Sequence, residues 1–201
     1  MIQTRLIMKT NKNIYFVLLI SISFLFFNCK NKSVPRPYGY FRVDLPKHEY
    51  VRFDSIAYPY SFDKSVHAII QPRYQKNENY WIDIIYPSMN ASIYCSYKPV
   101  HSDLLKLLED TRKIVYKHTV RADAITETPF FNRQKHVNGI LYDLSGNTAS
   151  QVQFVLTDSV KHFFRAALYF ENVPNKDSIA PMANYVREDI VRMIDSFKWK
   201  K

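Results

Sequence analysis

A serine with a histidine close behind it is the pair of residues in this sequence whose types could perform nucleophilic chemistry. Ser159 ends the turn-forming run Thr157-Asp158-Ser159, and His162 follows it. Serine hydrolases activate the hydroxyl with an adjacent base and often place it on a GxSxG turn, but the chain contains no GxSxG motif. Short hydroxyl and carboxylate side chains also stabilise ordinary turns by bonding back to the main chain. The sequence therefore favours a turn here and predicts that the protein is not an enzyme.

Metal and cofactor sites are not indicated by the sequence. Metal ligands cluster at short spacing, whereas the chain has no HxH, HExxH or CxxC motif and its six histidines are scattered. With three glycines in the whole chain, no glycine-rich loop that cradles phosphate can be built. His118 could be a proton-active group beside Asp123, but a half-buried core histidine is the commoner case. We predict no catalytic residue, no metal and no cofactor.

A group of polar residues near the end of the predicted sheet could instead recognise another protein. Asp158, His162 and Arg165 lie in or just after one predicted turn, while Tyr40 and Arg42 belong to the aromatic-rich start of the mature chain. A solvated hairpin is the simpler explanation of the first three residues. These five residues are therefore a hypothesis for an interaction patch.

The N-terminal segment has the organisation of a secretory signal peptide. Three basic residues without an acidic one precede an apolar run of fourteen residues at positions 14–27. That run is short of the about 20 residues that a membrane-spanning helix needs. Cys29 stands directly behind it, at the position where bacterial lipoproteins are cleaved and their thiol is acylated, although an ordinary signal peptide with a chance cysteine is the alternative. We predict a signal peptide at 1–28, a lipidated Cys29 with an extended basic tether at 29–39, and one domain at 40–201.

The charge of the chain is strongly basic, with 28 Lys and Arg against 18 Asp and Glu. Removal of residues 1–28 takes away three basic residues and leaves a net charge of +7. This surplus favours anionic neighbours such as lipid head groups or an acidic partner, although a solvated surface also accounts for it. Nucleic acid is not an expected partner, because the aromatic residues alternate with polar ones as in strands. Cys95 has no second cysteine once Cys29 is acylated, and we interpret it as a buried apolar residue.

Hydrophobic periodicity divides the mature chain into strands and two helices. One helix is predicted from His101 or Ser102 to Ala122, and another from Asp177 or Ser178 to Phe197. The predicted strands are Tyr40–Val43, Val66–Gln71, the hairpin Tyr80–Tyr86 and Ala91–Lys98, and the meander Ala124–Phe131, His136–Leu144, Ser150–Leu156 and Lys161–Phe170. This order predicts an α+β domain with an antiparallel sheet of about six or seven strands, two main helices packed on it, and a PsbP/Mog1-like arrangement.

Several short segments, in order along the mature chain, resemble one bacterial family. They include Pro35–Pro46, Ile93–Lys98, Leu108–Arg112, Gly146–Ser150 and Ala167–Phe170. Together they resemble the gliding motility lipoprotein GldD family of the Bacteroidetes. The resemblance implies a cell-envelope lipoprotein that is required for gliding and for the linked type IX secretion machinery, with Cys29 as its lipidation site.

The resemblance also implies protein partners in that machinery and a membrane anchor through lipid. Surface lipoproteins of bacteria that this family resembles carry an acidic cluster directly after the lipidated cysteine as an export tag. Residues 30–33 lack such a cluster, so a periplasm-facing protein on the inner or outer membrane is expected. A non-enzymatic assembly component is the first hypothesis, without a small-molecule substrate. A small-ligand or lipid-carrying module, which needs a pocket lined by aromatic strand faces, is the second. An envelope hydrolase that uses Ser159 or His162 is the third.

Overall fold

Short stretches of alternating apolar and polar residues pair into two antiparallel sheets. The structure is a computed structural model and describes Phe16, residues 44–171 and residues 176–200. The chain divides into two compact units, Met1–Tyr38 and Gly39–Lys201. The elements below all belong to the second unit.

Both halves of the second unit consist mainly of strands. The first half contains β1 (Tyr50–Phe53), β2 (Tyr60–Ser65), β3 (Ile69–Gln75), β4 (Glu78–Tyr86), β5 (Ala91–Pro99) and α1 (Leu104–Tyr116). The second half contains β6 (Ala122–Asn132), β7 (Val137–Gly146), β8 (Val152–Thr157), β9 (His162–Phe170), α2 (Lys176–Ser196) and β10 (Lys198–Trp199). Short 3-10 helices occupy Pro87–Met89 and Lys117–Val120. The large sheet has the order β3-β4-β5-β9-β8-β7-β6, and the small sheet has the order β1-β2-β10.

One face of the large sheet forms the main hydrophobic core. It packs against α2 and against β2 of the small sheet. Tyr60, Phe62 and Phe197 are fully buried there and stack on one another, with 6.0 Å between the ring centroids of Phe62 and Phe197. Because β10 pairs with β2 directly after α2, the C-terminal end of the helix is attached to the small sheet. Burial of this aromatic cluster removes a large apolar area from water and so stabilises the packing of α2 and the small sheet on this face.

The opposite face of the large sheet is covered only in part. Helix α1 packs over the β6 to β9 half and buries a second cluster that consists of Val115, Tyr142, Leu144, Val155 and Phe163. Over β3, β4 and β5 the same face is accessible, since Ile69 is 57% and Tyr94 37% exposed. We call this accessible region, together with the adjoining end of β9, the outer face.

The predicted α+β class is confirmed: the sheet is antiparallel, has seven strands, and carries a helix on each face. Helix α1 is shorter than predicted. It ends at Tyr116, whose carbonyl oxygen accepts a hydrogen bond from the Thr119 hydroxyl at 2.7 Å, and Ala122 is the first residue of β6. Strands β1, β2 and β10 were not predicted, and the strand predicted at Val66–Gln71 lies at Ile69–Gln75. The predicted strand Tyr40–Val43 lies outside the described residues.

Candidate functional site

Aromatic rings and an arginine form a continuous band across the outer face. Register places Arg73 opposite Trp81 and Tyr94 opposite Asp83, so these four side chains project from the same face of β3, β4 and β5. The guanidinium carbon of Arg73 lies 4.9 Å from the Trp81 ring centroid and 5.3 Å from the Tyr94 ring centroid. The Tyr94 ring in turn lies 5.6 Å from the ring of Tyr169 on β9. Such contacts hold the arginine and the rings in fixed positions relative to one another.

Asp83 is the carboxylate within this band. Its Oδ1 atom is 3.3 Å from Arg73 Nη1, close enough for an ion pair. The two groups are not hydrogen-bonded to each other at this oxygen: Asp83 Oδ1 is buried without a hydrogen-bond partner among the described residues. Arg73 Nε is likewise buried without one. Burial raises the pKa of Asp83, and the neighbouring Arg73 charge opposes this increase. The band therefore contains one hydrogen-bond acceptor, on Asp83, and one donor, on Arg73, that are not used within the described part of the chain.

Arg165 lies on the same face, on β9 beside the end of the region that α1 covers. Its Nη2 atom donates to Gln153 Oε1 at 2.7 Å. Gln153 is fully buried, and neither its Nε2 atom nor Arg165 Nε has a hydrogen-bond partner among the described residues. Burial lowers the pKa of the Arg165 guanidinium, and the group that opposes this decrease is the hydroxyl of Tyr169 rather than a carboxylate. Arg165 is thus a half-buried cation, and no described carboxylate forms an ion pair with it.

The structure separates the polar residues that the sequence suggested as one patch. Asp158 Oδ1 accepts backbone N–H bonds from Val160, Lys161 and His162 at 2.8–3.0 Å, so it organises the turn between β8 and β9. His162 Nδ1 lies 2.7 Å from the Tyr97 hydroxyl. His162 and Arg165 are three residues apart on one strand and therefore project from opposite faces. Asp158 and His162 remain neighbours, whereas Arg165 belongs to the outer face.

Ser159 and His162 have separate structural contacts. Ser159 adopts φ 69°, its N–H donates to the Thr157 hydroxyl at 2.9 Å, and its own hydroxyl accepts from Asn138 Nδ2 at 3.4 Å. His162 stacks on Trp199 with 4.9 Å between ring centroids, and burial lowers its pKa. Among the contacts of the described residues, none joins the Ser159 hydroxyl to the His162 ring. The turn geometry accounts for the serine, as expected for a short polar side chain in a left-handed conformation.

A surface cleft of about 560 Å³ lies between α2 and the neighbouring parts of β6 and β7. Arg187 spans it with two hydrogen bonds to Asp143, at 2.6 and 2.8 Å, and this contact raises the pKa of Arg187. The described lining residues include no Phe, Tyr or Trp. The cleft therefore does not match the aromatic-lined pocket that a lipid-carrying module was expected to have.

Three of the predicted functional residues lie outside the described residues: Cys29, Tyr40 and Arg42. Within residues 44–171 and 176–200, neither helix combines the length and apolar content that crossing a bilayer requires. The same part of the chain contains no group of three or more His, Cys, Asp or Glu side chains arranged to hold a metal ion.

Sequence reasoning missed most of the outer face. Trp81, Asp83, Tyr94 and Gln153 were assigned to predicted strands without a functional role, and Arg73 lay beyond the predicted strand Val66–Gln71. A signal was present in β9, where Arg165 stands between Phe164 and Ala166 in a strand with apolar residues on both faces. A charged residue in such a strand requires either a polar partner or an accessible face.

The fold and this face define an α+β domain built on one large antiparallel sheet, with an accessible aromatic and basic surface. The chain belongs to the gliding motility lipoprotein GldD family, whose family model matches residues 30–199. A similar solved structure is that of cyanobacterial PsbP (CyanoP) from Synechocystis sp. PCC 6803, at 11% identity and a TM-score of 0.49, over 82% of this chain and 99% of that one. No curated protein matches the chain significantly.

Proposed function

We propose that the protein is a cell-envelope lipoprotein that acts as a non-enzymatic interaction component of the machinery for gliding and the linked type IX secretion. Membership of a gliding motility lipoprotein family supports the process and the membrane attachment. The observation that carries the interaction role is the outer face, which the Arg165 cation shares with Arg73 and Tyr94, and where Arg73 is held over the rings of Tyr94 and Trp81. Protein interfaces are enriched in arginine and large aromatic residues of this kind.

In this proposal the membrane anchor is lipid on Cys29, in a periplasm-facing protein on the inner or outer membrane. Several acyl chains on one cysteine provide durable attachment, since each buried CH₂ contributes about 0.8 kcal/mol. The 14 residues at positions 30–43 can span at most roughly 50 Å, because an extended chain covers about 3.3–3.6 Å per residue. The lipid therefore restricts the domain to a shell near one membrane, while leaving room for a partner between them.

The experiment compares surface movement of single cells, and secretion of a type IX cargo, in a deletion strain and in complemented strains. The strains express wild-type protein, Cys29→Ala or Cys95→Ala at matched abundance. Cys95→Ala is the matched control, because it removes the other cysteine, which is buried within the domain. We expect deletion to abolish both processes, and wild type and Cys95→Ala, but not Cys29→Ala, to restore them. Normal movement of the deletion strain would contradict the proposal.

The non-enzymatic part of the proposal has its own test. A Ser159→Ala, His162→Gln double variant removes both residues that could form a nucleophile and its base. We expect the double variant to restore movement and secretion fully when it accumulates to the wild-type level. Loss of both processes in a folded, abundant double variant would favour the hydrolase alternative instead.

A further inference from the structure

We propose that the outer face docks an acidic segment of a different protein, and that an Asp or Glu side chain of that segment pairs with Arg165. This inference rests on the proposed function and names the surface and the chemistry of the interaction. Three features of the described residues carry it: the unpaired charge of Arg165, the unused hydrogen-bond donors beside it, and the preordered aromatic band next to it.

The charge of Arg165 is not neutralised by any described carboxylate of the domain. The cations of Arg52, Arg187 and Arg192 each lie within ion-pair distance of a carboxylate, at 2.6–3.2 Å. The Arg165 guanidinium is half-buried and donates only to the neutral amide of Gln153 among the described residues. A cation that is partly removed from water without a carboxylate is unfavourable, and pairing with an anion from outside reverses that cost.

The donors around this charge match a carboxylate. Arg165 Nε and Gln153 Nε2 both lack a hydrogen-bond acceptor among the described residues, although both atoms are buried. Guanidinium groups bind carboxylates through two parallel N–H bonds, and a carboxylate accepts about four hydrogen bonds in total. An incoming Asp or Glu that reorients the Arg165 side chain can therefore accept from Arg165 Nε, a donor that the isolated domain leaves unused, while the Gln153 side chain stays buried.

The aromatic band supplies the remainder of an interface. Arg73 is held over the rings of Trp81 and Tyr94, and Tyr94 contacts Tyr169. Rigid aromatic and arginine side chains lose little conformational entropy on binding, which is why they dominate binding energy at protein interfaces. Ile69, 57% exposed, adds apolar surface at the edge of this band.

Charge complementarity selects the occupant. Without residues 1–28 the chain carries +7, so a second copy would bring another basic surface to this face. An anionic bilayer would approach Asp83, whose carboxylate lies within the aromatic band and would repel it. A protein segment can place one acidic side chain at Arg165 and apolar or basic ones elsewhere, so it fits the whole face better than a uniform anionic surface does.

The test uses the full-length protein in living cells of the source organism, with a photoactivatable benzoylphenylalanine at Tyr94. A second strain carries the same probe at Ile56, which is fully exposed in the loop between β1 and β2 of the small sheet, away from the outer face. We expect an adduct to a different protein from position 94 only, with Asp or Glu next to the crosslinked residue. Arg165→Glu should reduce this adduct at least tenfold, and Arg165→Lys should reduce it less, because lysine keeps the charge but not the two parallel N–H bonds.

Two further steps separate recognition from misfolding. Arg165→Gln removes the charge without introducing an acidic group, and thermal unfolding identifies which variants remain folded. In a folded Arg165→Glu strain, replacing the partner's acidic residue by arginine should restore the adduct and surface movement. Such restoration through a reversed charge pair is not expected from a purely structural role of Arg165.

Four results would overturn the docking proposal: an adduct joining two copies of this chain, an adduct with lipid alone, no protein adduct, or an adduct that folded Arg165→Glu and Arg165→Gln leave unchanged. Its failure is distinguishable from failure of the proposed function. If a folded Arg165→Glu strain moves like wild type while the deletion strain does not, the docking site is wrong and the proposed function stands. If the deletion strain moves normally, the proposed function itself fails.

Discussion

Replacement of Asp189 by asparagine tests the polar network that joins the chain before β1 to helix α2. The Asp189 side chain is 1% exposed. Its Oδ1 accepts a hydrogen bond from His48 Nδ1 at 2.7 Å, and its Oδ2 accepts one from the Tyr86 hydroxyl at 3.0 Å. The His48 ring also stacks on Tyr185 with 4.1 Å between centroids. Asp189→Asn keeps the shape of the side chain but removes its charge and offers an NH₂ donor where an acceptor is required.

The expected cost follows from these contacts. Each hydrogen bond to a charged group contributes about 1.5–3 kcal/mol, and an unsatisfied buried hydroxyl costs about 1–3 kcal/mol. The contribution of His48 is smaller, because its side chain is 29% exposed and solvent screens its interaction. We therefore expect the free energy of unfolding to fall by about 3 kcal/mol. For a domain of this size that corresponds to a decrease in Tm of roughly 6–12 °C.

The measurement is urea unfolding followed by far-UV circular dichroism, with thermal unfolding as a second readout. Glu188→Gln is the matched control, since Glu188 also contacts His48, at 2.9 Å, but is 66% exposed. We expect this control to change stability by less than about 0.5 kcal/mol. Limited proteolysis near Lys47 should increase in Asp189→Asn, because His48 holds that segment on α2. Equal effects of the two substitutions, or no effect of either, would refute the reasoning.

The remaining predictions concern the sheet, a histidine and the buried thiol. Gly139→Ala should destabilise the domain by about 3 kcal/mol or more in urea unfolding, because a Cβ would lie 2.0 Å from the backbone oxygen of Val155 and 2.5 Å from the Phe130 ring; near-wild-type stability would contradict this. Burial lowers the pKa of His162, so the unfolded chain binds more protons and stability falls as pH drops below about 6.5. His162→Gln should reduce the loss of stability between about pH 7 and pH 5, and an unchanged loss would show that other groups cause it. Burial raises the pKa of the Cys95 thiol, so a thiol reagent should label Cys95 slowly in the folded protein and rapidly in denaturant, whereas rapid labelling of the folded protein would show that the site is accessible.

Local sequence patterns were sufficient for much of the fold. The β4–β5 hairpin, the β6 to β9 meander and helix α2 are each specified by hydrophobic periodicity and by turn residues between them. In β9 alternation alone already implies that His162 and Arg165 project from opposite faces. The turn at Asp158 and Ser159 was also predictable, because short polar side chains form hydrogen bonds with the nearby backbone.

The small sheet was not predictable in this way. Strand β10 has two residues and pairs with β2, which lies more than 130 residues earlier in the sequence. Its existence therefore depends on a long-range contact rather than on a local pattern. The same applies to the network around Asp189, which brings together His48, Tyr86 and α2.

The main elements and their amphipathic faces could be read from the chain alone, because both depend on residues that are close in sequence. The position of α1 could not, although it leaves Ile69 and Tyr94 exposed by covering only the other half of the sheet. Helix position depends on packing between distant segments. Whether a residue has a partner is likewise a property of that packing and not of its own neighbours in the chain.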